Sequence, residues 1–344
     1  MRPRTILCST LLLLALCAGC GAQADTEEPA EPSERSFFAM NTYITMQASG
    51  THAEDALEAA EELVLDLEGL LSVTEETSEL YEINHSEGQP VAVDETTAEL
   101  LTFALEMAEE TGGALDPTIY PVLTAWGFTT DSRQVPAQEE IDRLLPLVDY
   151  TQVQIANGLV TLPEGVSLDL GAVAKGYTGD RVARLLEEQG ISSALINLGG
   201  NVQAVGGRPD GTPWRIGVRD PFSEGNLGVL EVEDCAVVTS GGYQNYFTGE
   251  DGQVYWHILD PDTGYPTRTG LASVTVVAPE GARCDALSTS LFVMGLDNAL
   301  DYWRETGGFD LILVTEEREV YVTSGLTDAF SLNGDGFALE VVEP

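Results

Sequence analysis

Lysine is all but missing from this chain: Lys175 is the only one in 344 residues. Lys and Arg together number 15 against 57 Asp and Glu, giving a formal charge of −42 at pH 7. A surface that acidic repels nucleic acid and excludes binding through anionic lipid headgroups. Histidine is limited to His52, His85 and His257, so few side chains can exchange protons near neutral pH. Cysteine is equally sparse. Beyond residue 20 only Cys235 and Cys284 remain, and their spacing does not decide whether they are bridged. Two buried thiols are the simpler expectation. No Rossmann fingerprint and no Walker loop occurs, and after the N-terminal apolar run no stretch of membrane-spanning length follows.

That N-terminal stretch is informative. Met1 to Arg4 carries two arginines, and an apolar run from Ile6 to Ala18 follows, too short to span a bilayer but suited to a secretory signal. It ends in Leu16-Cys17-Ala18-Gly19-Cys20, which resembles a bacterial lipobox with Cys20 as the lipidated residue, although Cys17 stands where Leu is usual. The alternative is an ordinary cleaved signal peptide. Residues 1–19 are therefore read as a lipoprotein signal peptide and 20–36 as an acidic, Pro-containing tether with too few apolar residues to pack. The expected location is extracytoplasmic, lipid-anchored to the membrane through Cys20. Residues 37–340, at 43% apolar content for the whole chain, suffice for one large domain.

Within that domain, Ala56, Ala60, Leu63, Leu67 and Leu70 recur at helical spacing over 53–71. A second helix is expected from about Thr97 to Glu110, with Thr96 and Glu99 as a capping box and Gly112-Gly113 as its stop. A third follows Ala174 and ends at Gly190. Val153–Ile155 and Leu159–Thr161 flank Ala156-Asn157-Gly158, a strong hairpin signal. Short β-branched runs follow at 193–198, 214–218, 229–232, 236–239, 254–259, 273–277, 311–314 and 320–323. Strands outnumber helices without regular alternation, which predicts an α+β fold with largely antiparallel sheets and packed helices.

Three segments carry residues suited to chemistry. Lys175 lies in Ser167-Leu168-Asp169-Leu170-Gly171-Ala172-Val173-Ala174-Lys175-Gly176-Tyr177, at the start of a predicted helix, where free N–H groups and the dipole suit a phosphate. A structural pair with Asp169 or Asp180 is the equal alternative. Asp285 and Thr289 fall at i and i+4 on one helix face, and a carboxylate with a hydroxyl suits Mg²⁺. The simpler reading makes Asp285 a helix cap and lets Thr289 bond a backbone carbonyl. His257 precedes a tight Asp260-Pro261-Asp262-Thr263-Gly264 turn and is the best placed of the histidines to act as a base, against the alternative of a hydrogen-bonded core residue.

Taken in order, Met40-Asn41-Thr42, Ser78-Glu79-Leu80-Tyr81-Glu82-Ile83-Asn84, Gly113-Ala114-Leu115-Asp116-Pro117-Thr118 with Trp126-Gly127-Phe128, Asp169 through Lys175-Gly176, Leu198-Gly199-Gly200-Asn201, Thr239-Ser240-Gly241, His257-Ile258-Leu259-Asp260-Pro261 and Asp285-Ala286-Leu287-Ser288-Thr289 resemble the ApbE family of FAD:protein FMN transferases. The resemblance covers roughly 37–340. It implies a T-fold-like α+β architecture and Mg²⁺-dependent transfer of FMN from FAD, the substrate, to a Ser or Thr hydroxyl of an acceptor protein, releasing AMP. It implies that Met40, Ala114, Leu115, Asp116, Asp169, Lys175 and His257 contact FAD. The carbonyl of Ala172 with Asp285, Ser288 and Thr289 would hold the metal. His257 would take the acceptor's proton, with Asp260 orienting it and Lys175 adding charge at the pyrophosphate. The implied acceptor is a flavoprotein subunit of a membrane redox complex or a secreted flavin reductase. Two positions depart from the family pattern: Asn41 replaces a glycine, and Thr74 stands where an aromatic residue would stack on the dinucleotide. The same site implies two competing functions, an Mg²⁺-dependent FAD pyrophosphatase and a non-enzymatic flavin-binding lipoprotein.

The leader yields a direct test. Cys20→Ala is expected to move the protein from the membrane to the soluble fraction, read by fractionation and intact mass. A mutant that stays membrane-bound, or a mass showing cleavage elsewhere, contradicts the lipobox reading.

Overall fold

The computed structural model describes residues 32–130 and 132–344. The expected signal peptide and residues 20–31 of the expected tether lie outside them. The chain enters through strands β1 (Ser33–Ala39) and β2 (Thr42–Ala48), then helices α1 (Ala53–Leu71) and α2 (Glu79–Asn84). Strand β3 (Val91–Ala92) precedes α3 (Glu95–Glu110), α4 (Tyr120–Trp126) and α5 (Gln138–Leu144). The hairpin β4 (Gln154–Ala156) and β5 (Leu159–Thr161) leads to α6 (Ala174–Glu188). Six strands follow: β6 (Ala194–Leu198), β7 (Asn201–Val205), β8 (Trp214–Arg219), β9 (Asn226–Val232), β10 (Ala236–Gly241) and β11 (Tyr246–Thr248). Strands β12 (Val254–Trp256) and β13 (Leu271–Ala278) then reach α7 (Gly281–Met294) and α8 (Leu296–Thr306). The chain closes with β14 (Asp310–Thr315), β15 (Glu319–Thr323), β16 (Phe330–Leu332) and β17 (Ala338–Val342).

Nine strands form one sheet in the order β1-β2-β6-β7-β10-β13-β14-β15-β17, antiparallel throughout except for the parallel β15–β17 pair. The α+β, antiparallel reading of the sequence holds. The inner strands are covered on both faces, which is why they read as unbroken apolar runs. Along β14, Leu311 and Leu313 face a helical layer with α3, α7 and α8, while Ile312 and Val314 face a smaller sheet, β16-β9-β8. Helices α1 and α6 cover the β1-β2-β6 end, where Ala56, Leu57, Ala60 and Val64 meet Ile44, Met46 and Ile196.

Several local expectations change. Ser33–Ser36, assigned to the tether, pair with Thr45–Ala48, and β17 carries the fold past residue 340 to Val342. Helix α3 starts two residues before Thr97, because Asp94 Oδ1 accepts from Thr96 N at 2.8 Å and caps it. Glu99 instead accepts from the Tyr177 hydroxyl, at 3.0 Å. Strand β12 stops at Trp256, leaving His257 beyond the ladder. Cys235 and Cys284 are free thiols, the latter fully buried.

Topology gathers the loops. The β1–β2 turn (Met40, Asn41), the β6–β7 turn (Gly199, Gly200) and the C-terminal end of β10 all lie at one end of the sheet. Close approach fixes two glycines there. Gly199 has φ +64 and a Cβ would overlap Thr42 Oγ1. Gly176 of α6 meets Gly281 of α7 so closely that a Cβ would overlap the Gly281 carbonyl oxygen. Gly176→Ala is therefore expected to lower stability by about 1–3 kcal/mol, measured by urea unfolding. A change within error would mean that the two helices separate freely.

Candidate functional site

Backbone and side-chain hydrogen bonds tie the singled-out segments together. Asn84, at the end of α2, donates to Leu168 O at 2.8 Å and accepts from Leu168 N at 2.6 Å. The next residue, Asp169, donates its N–H to Pro117 O at 2.8 Å, so the Asp116-Pro117-Thr118 segment is held beside it. Asp116 is itself buried. Its Oδ1 accepts from Thr118 N (2.8 Å) and Thr118 Oγ1 (2.6 Å), and its Oδ2 from Tyr150 N (3.1 Å). Its carboxylate is thus spent on shaping this loop, with Leu115 buried and Ala114 half-buried next to it.

Asp169 sits half-buried with Gly171 N donating to its Oδ1 at 2.8 Å. Burial pushes its carboxyl above the ordinary carboxylate range, against the pull of that N–H and of Lys175. Lys175 is close enough to act on Asp169 and on His257 through charge, yet its only bond is a donation from Nζ to Gly171 O at 3.1 Å. It makes no ion pair among the described residues. The structural pair with Asp169 or Asp180 is not formed; Asp180 accepts from Gly281 N and Ala282 N instead. Of the first N–H groups of α6, those of Ala174, Gly176 and Tyr177 are already engaged, which leaves the Lys175 N–H without an acceptor among the described residues. What this end of α6 offers an anion is the ammonium of Lys175 and its own N–H.

Asp285 is only 4% exposed and meets no cation among the described residues. Its Oδ2 accepts from Gly176 N at 2.9 Å, while no donor among the described residues engages Oδ1. It lies beyond the first residues of α7 and does not cap that helix. Ser240, at the end of β10, places its hydroxyl 2.8 Å from Ser288 Oγ and 3.2 Å from Thr289 Oγ1, and Ser288 donates to Asp285 O at 3.0 Å. Thr289 bonds no backbone carbonyl. The Ala172 carbonyl accepts no hydrogen bond among the described residues. No cluster of three or more His, Cys, Asp or Glu with metal-holding geometry occurs among them. Any metal here is held by one carboxylate with carbonyl and hydroxyl oxygens, a set that suits a hard cation retaining other oxygen ligands.

His257 is half-buried among aromatic rings: Phe128 lies 6.4 Å away edge-on, and Trp126, Phe247 and Tyr255 pack behind it. Nδ1 is 3.3 Å from Asn245 O. A carbonyl only accepts, so Nδ1 carries the proton and Nε2 keeps its lone pair. Burial, then the charge of Lys175, lowers the imidazole pKa to about 4, with the Asn245 bond opposing and Arg133 adding to the effect. Asp260 does not orient this ring. Its Oδ1 accepts from Asp262 N at 2.9 Å, fixing the turn that follows. The orienting group is a backbone carbonyl, invisible to sequence.

Met40 and Asn41 take φ 52 and φ 57, the left-handed pair of a tight hairpin turn, so Asn41 adopts the conformation a glycine would have supplied. Met40 N donates to Glu68 Oε1 at 2.6 Å, and its side chain lies between two core clusters. Thr74 is exposed and hydrogen-bonds only to Ser72, so no ring stands there. Ser240, Asn84 and Gly176 emerge as site-building residues that had been quoted within motifs without a role. A cleft of about 410 Å³ opens elsewhere, between α3, α6 and the start of α7, but none of the candidate site residues lines it.

Comparison with known proteins gives a consistent answer. The ApbE family model matches residues 40–313. The chain is 34% identical to the FAD:protein FMN transferase of Treponema pallidum, over 96% of this chain and 97% of that one. Against that of Escherichia coli K12 the identity is 32%, over 83% and 84%. Among solved structures, the ApbE protein of Thermotoga maritima superposes with a TM-score of 0.79 at 34% identity, covering 88% of this chain and 97% of that one. The flavin transferase ApbE of Vibrio cholerae gives 0.79 at 27%, covering 88% and 100%.

The environment of His257 predicts a titration. Its NMR resonance, assigned by its loss in His257→Gln, should move with a midpoint near 4, and Lys175→Ala should raise that midpoint. Because the folded pKa lies below the unfolded value of about 6.5, the unfolded chain binds the extra proton. Stability from this group is therefore complete above about 6.5 and falls as pH drops toward 4. A midpoint near 6.5 in the folded protein would place the ring in solvent.

Proposed function

This chain belongs to the ApbE family, and from that membership we propose that it carries out a magnesium-dependent transfer of FMN from FAD to a Ser or Thr hydroxyl of an acceptor protein, releasing AMP. That it is a transferase moving flavin from FAD to protein follows from relatives that match it over 83% to 96% of its length. The observation that carries the finer reading is Asp285, a buried carboxylate with one oxygen uncommitted among the described residues, beside the linked hydroxyls of Ser240, Ser288 and Thr289 and an unpaired carbonyl.

The donor set fits Mg²⁺: Asp285, Thr289, Ser288 and the Ala172 carbonyl would hold it, and all are hard oxygens. When bound, the ion supplies positive charge that offsets charge gathering on the pyrophosphate. The protein's own residues do the rest. Lys175, bonded only to Gly171 O, can turn its ammonium to a pyrophosphate oxygen without breaking an ion pair. Asp169 and the loop of Ala114, Leu115 and Asp116, held together by the bond from Asp169 N to Pro117 O, would line the dinucleotide, with Met40 at the flavin end. His257 Nε2 accepts the proton of the acceptor hydroxyl as that oxygen bonds to the phosphorus on the FMN side. The bond from phosphorus to the bridging oxygen breaks, and that oxygen leaves with AMP.

A pKa near 4 makes the free imidazole a weak base. Lys175 is one cause, so a bound pyrophosphate facing Lys175 raises the basicity of His257 when FAD is in place. Thr74 removes one stacking surface, so the phosphate end carries more of the binding. The leader ending in Cys20 supports an extracytoplasmic, lipid-anchored enzyme whose acceptor is a subunit of a membrane redox complex or a secreted flavin reductase.

Residues 21–344 incubated with FAD, Mg²⁺ and an acceptor should add the mass of one FMN residue to the acceptor and release AMP. Asp285→Ala should cut this turnover at least about a hundredfold and, by removing the partner of Gly176 N, lower stability by about 0.5–2 kcal/mol. Asp285→Asn keeps an acceptor for Gly176 N and should lose turnover with less loss of stability. Free FMN and AMP with an unmodified acceptor would mean hydrolysis, and an active Asp285→Asn would remove the metal from this residue.

A further inference from the structure

Neither α6 nor α7 caps itself. The residues at their N-cap positions, Val173 and Glu280, make no side-chain cap bond. Each helix is capped by a carboxylate from the other. Asp285 of α7 accepts from Gly176 N in the first turn of α6, at 2.9 Å. Asp180 of α6 accepts from Gly281 N at 2.6 Å and Ala282 N at 2.9 Å, one oxygen to each. Half of this exchange involves a residue of the proposed metal site. The other half, Asp180, touches none of the proposed reacting groups.

The contact leaves α7 little freedom. A Cβ on Gly281 would lie 2.7 Å from Gly176 O, 3.0 Å from Asp180 Oδ1 and 3.0 Å from Gln203 Oε1, so the helix start is enclosed by oxygens of α6 and β7. What the packing of two glycines does not fix is sliding and rotation, since there are no side chains to interlock. Packing on β10 and β13 seats α7 as a whole, and a carboxylate bridging two successive N–H groups fixes its first turn against α6. Asp285 follows Gly281 by one helical turn, so it moves with that first turn.

We propose that Asp180 is a positioning residue for the transfer reaction, setting the register in which Asp285 and Thr289 present their oxygens to the metal. The proposal rests on the metal site inferred above. Supporting groups behind metal ligands characteristically change affinity by about 10–100-fold when removed. Asp180 stands in that relation to Asp285 through the helix rather than through a direct bond.

The test is a titration of the purified protein with MnCl₂, counting free aquo-ion by electron paramagnetic resonance. Wild type, Asp180→Asn, Asp180→Glu and Asp285→Asn are compared, with thermal melting of each. Asp94→Asn, which weakens the cap of the remote helix α3, is the control for a purely structural loss. Asp180→Asn should bind Mn²⁺ about tenfold more weakly, with Asp180→Glu intermediate, while Asp94→Asn melts lower and binds as wild type does. Should Asp180→Asn not fold, Asp180→Glu carries the same comparison. Asp180 variants that melt lower yet bind Mn²⁺ like wild type would make this residue a helix cap and nothing more. The metal reading fails separately, and the proposal with it, if wild type takes up no Mn²⁺ or if Asp285→Asn binds it unchanged.

Discussion

Where α6 crosses α7, neither helix has a side chain to spare: Gly176 and Gly281 bring the two backbones into direct contact. Lys175 and the Ala172 carbonyl stand on one side of that crossing, with Asp285, Ser288 and Thr289 on the other. A methyl group on Gly176 would overlap the Gly281 carbonyl oxygen and one on Gly281 would crowd Gly176 O, so either would force the two helices apart. The crossing is itself seated on the large sheet, since α7 packs on β10 and β13 while α6 reaches β6 and β7. Ser240 then reaches from the end of β10 to the hydroxyls of Ser288 and Thr289. Sheet, helices and hydroxyls thus fix one another.

Charge shapes the site as much as packing does. In a chain with 57 carboxylates and a single lysine, a stray cation near Lys175 is rare, and a stray anion would quench it. The structure keeps neighbouring carboxylates occupied elsewhere. Asp180 serves the start of α7, Asp260 its own turn, and Asp116 its own loop. Asp169 alone stays within reach, and burial weakens its charge. The ammonium therefore has no salt-bridge partner among the described residues, and its charge adds to the larger effect of burial in lowering the pKa of His257.

Much of this was legible in the residues. Runs such as Leu311 to Val314 announced strands, and Asn157-Gly158 announced its hairpin. Asp285, Thr289 and Lys175 could be singled out by type and spacing. Other features left no trace of that kind. The group that orients His257 is the backbone carbonyl of Asn245, and carbonyls carry no sequence signature. Asp260 had the right chemistry for that task, but a turn two residues long captured its carboxylate first. Asp94 displaced the Thr96 and Glu99 cap because it sits at the true boundary of α3, and a boundary is set by which side chain reaches the first free N–H. The short helices α2, α4 and α5 hold too few residues for their periodicity to stand out.

The central claim is that the lone ammonium of Lys175 faces the phosphates of FAD. Because no other lysine exists, acylation of Nζ followed by peptide mapping reads this residue without any mutation. FAD with Mg²⁺ should protect Lys175 from labelling, and an excess of riboflavin, which has the ring system but no phosphate, should leave it exposed. Equal labelling with FAD and Mg²⁺, with riboflavin and with no ligand would contradict the account and remove Lys175 from the site.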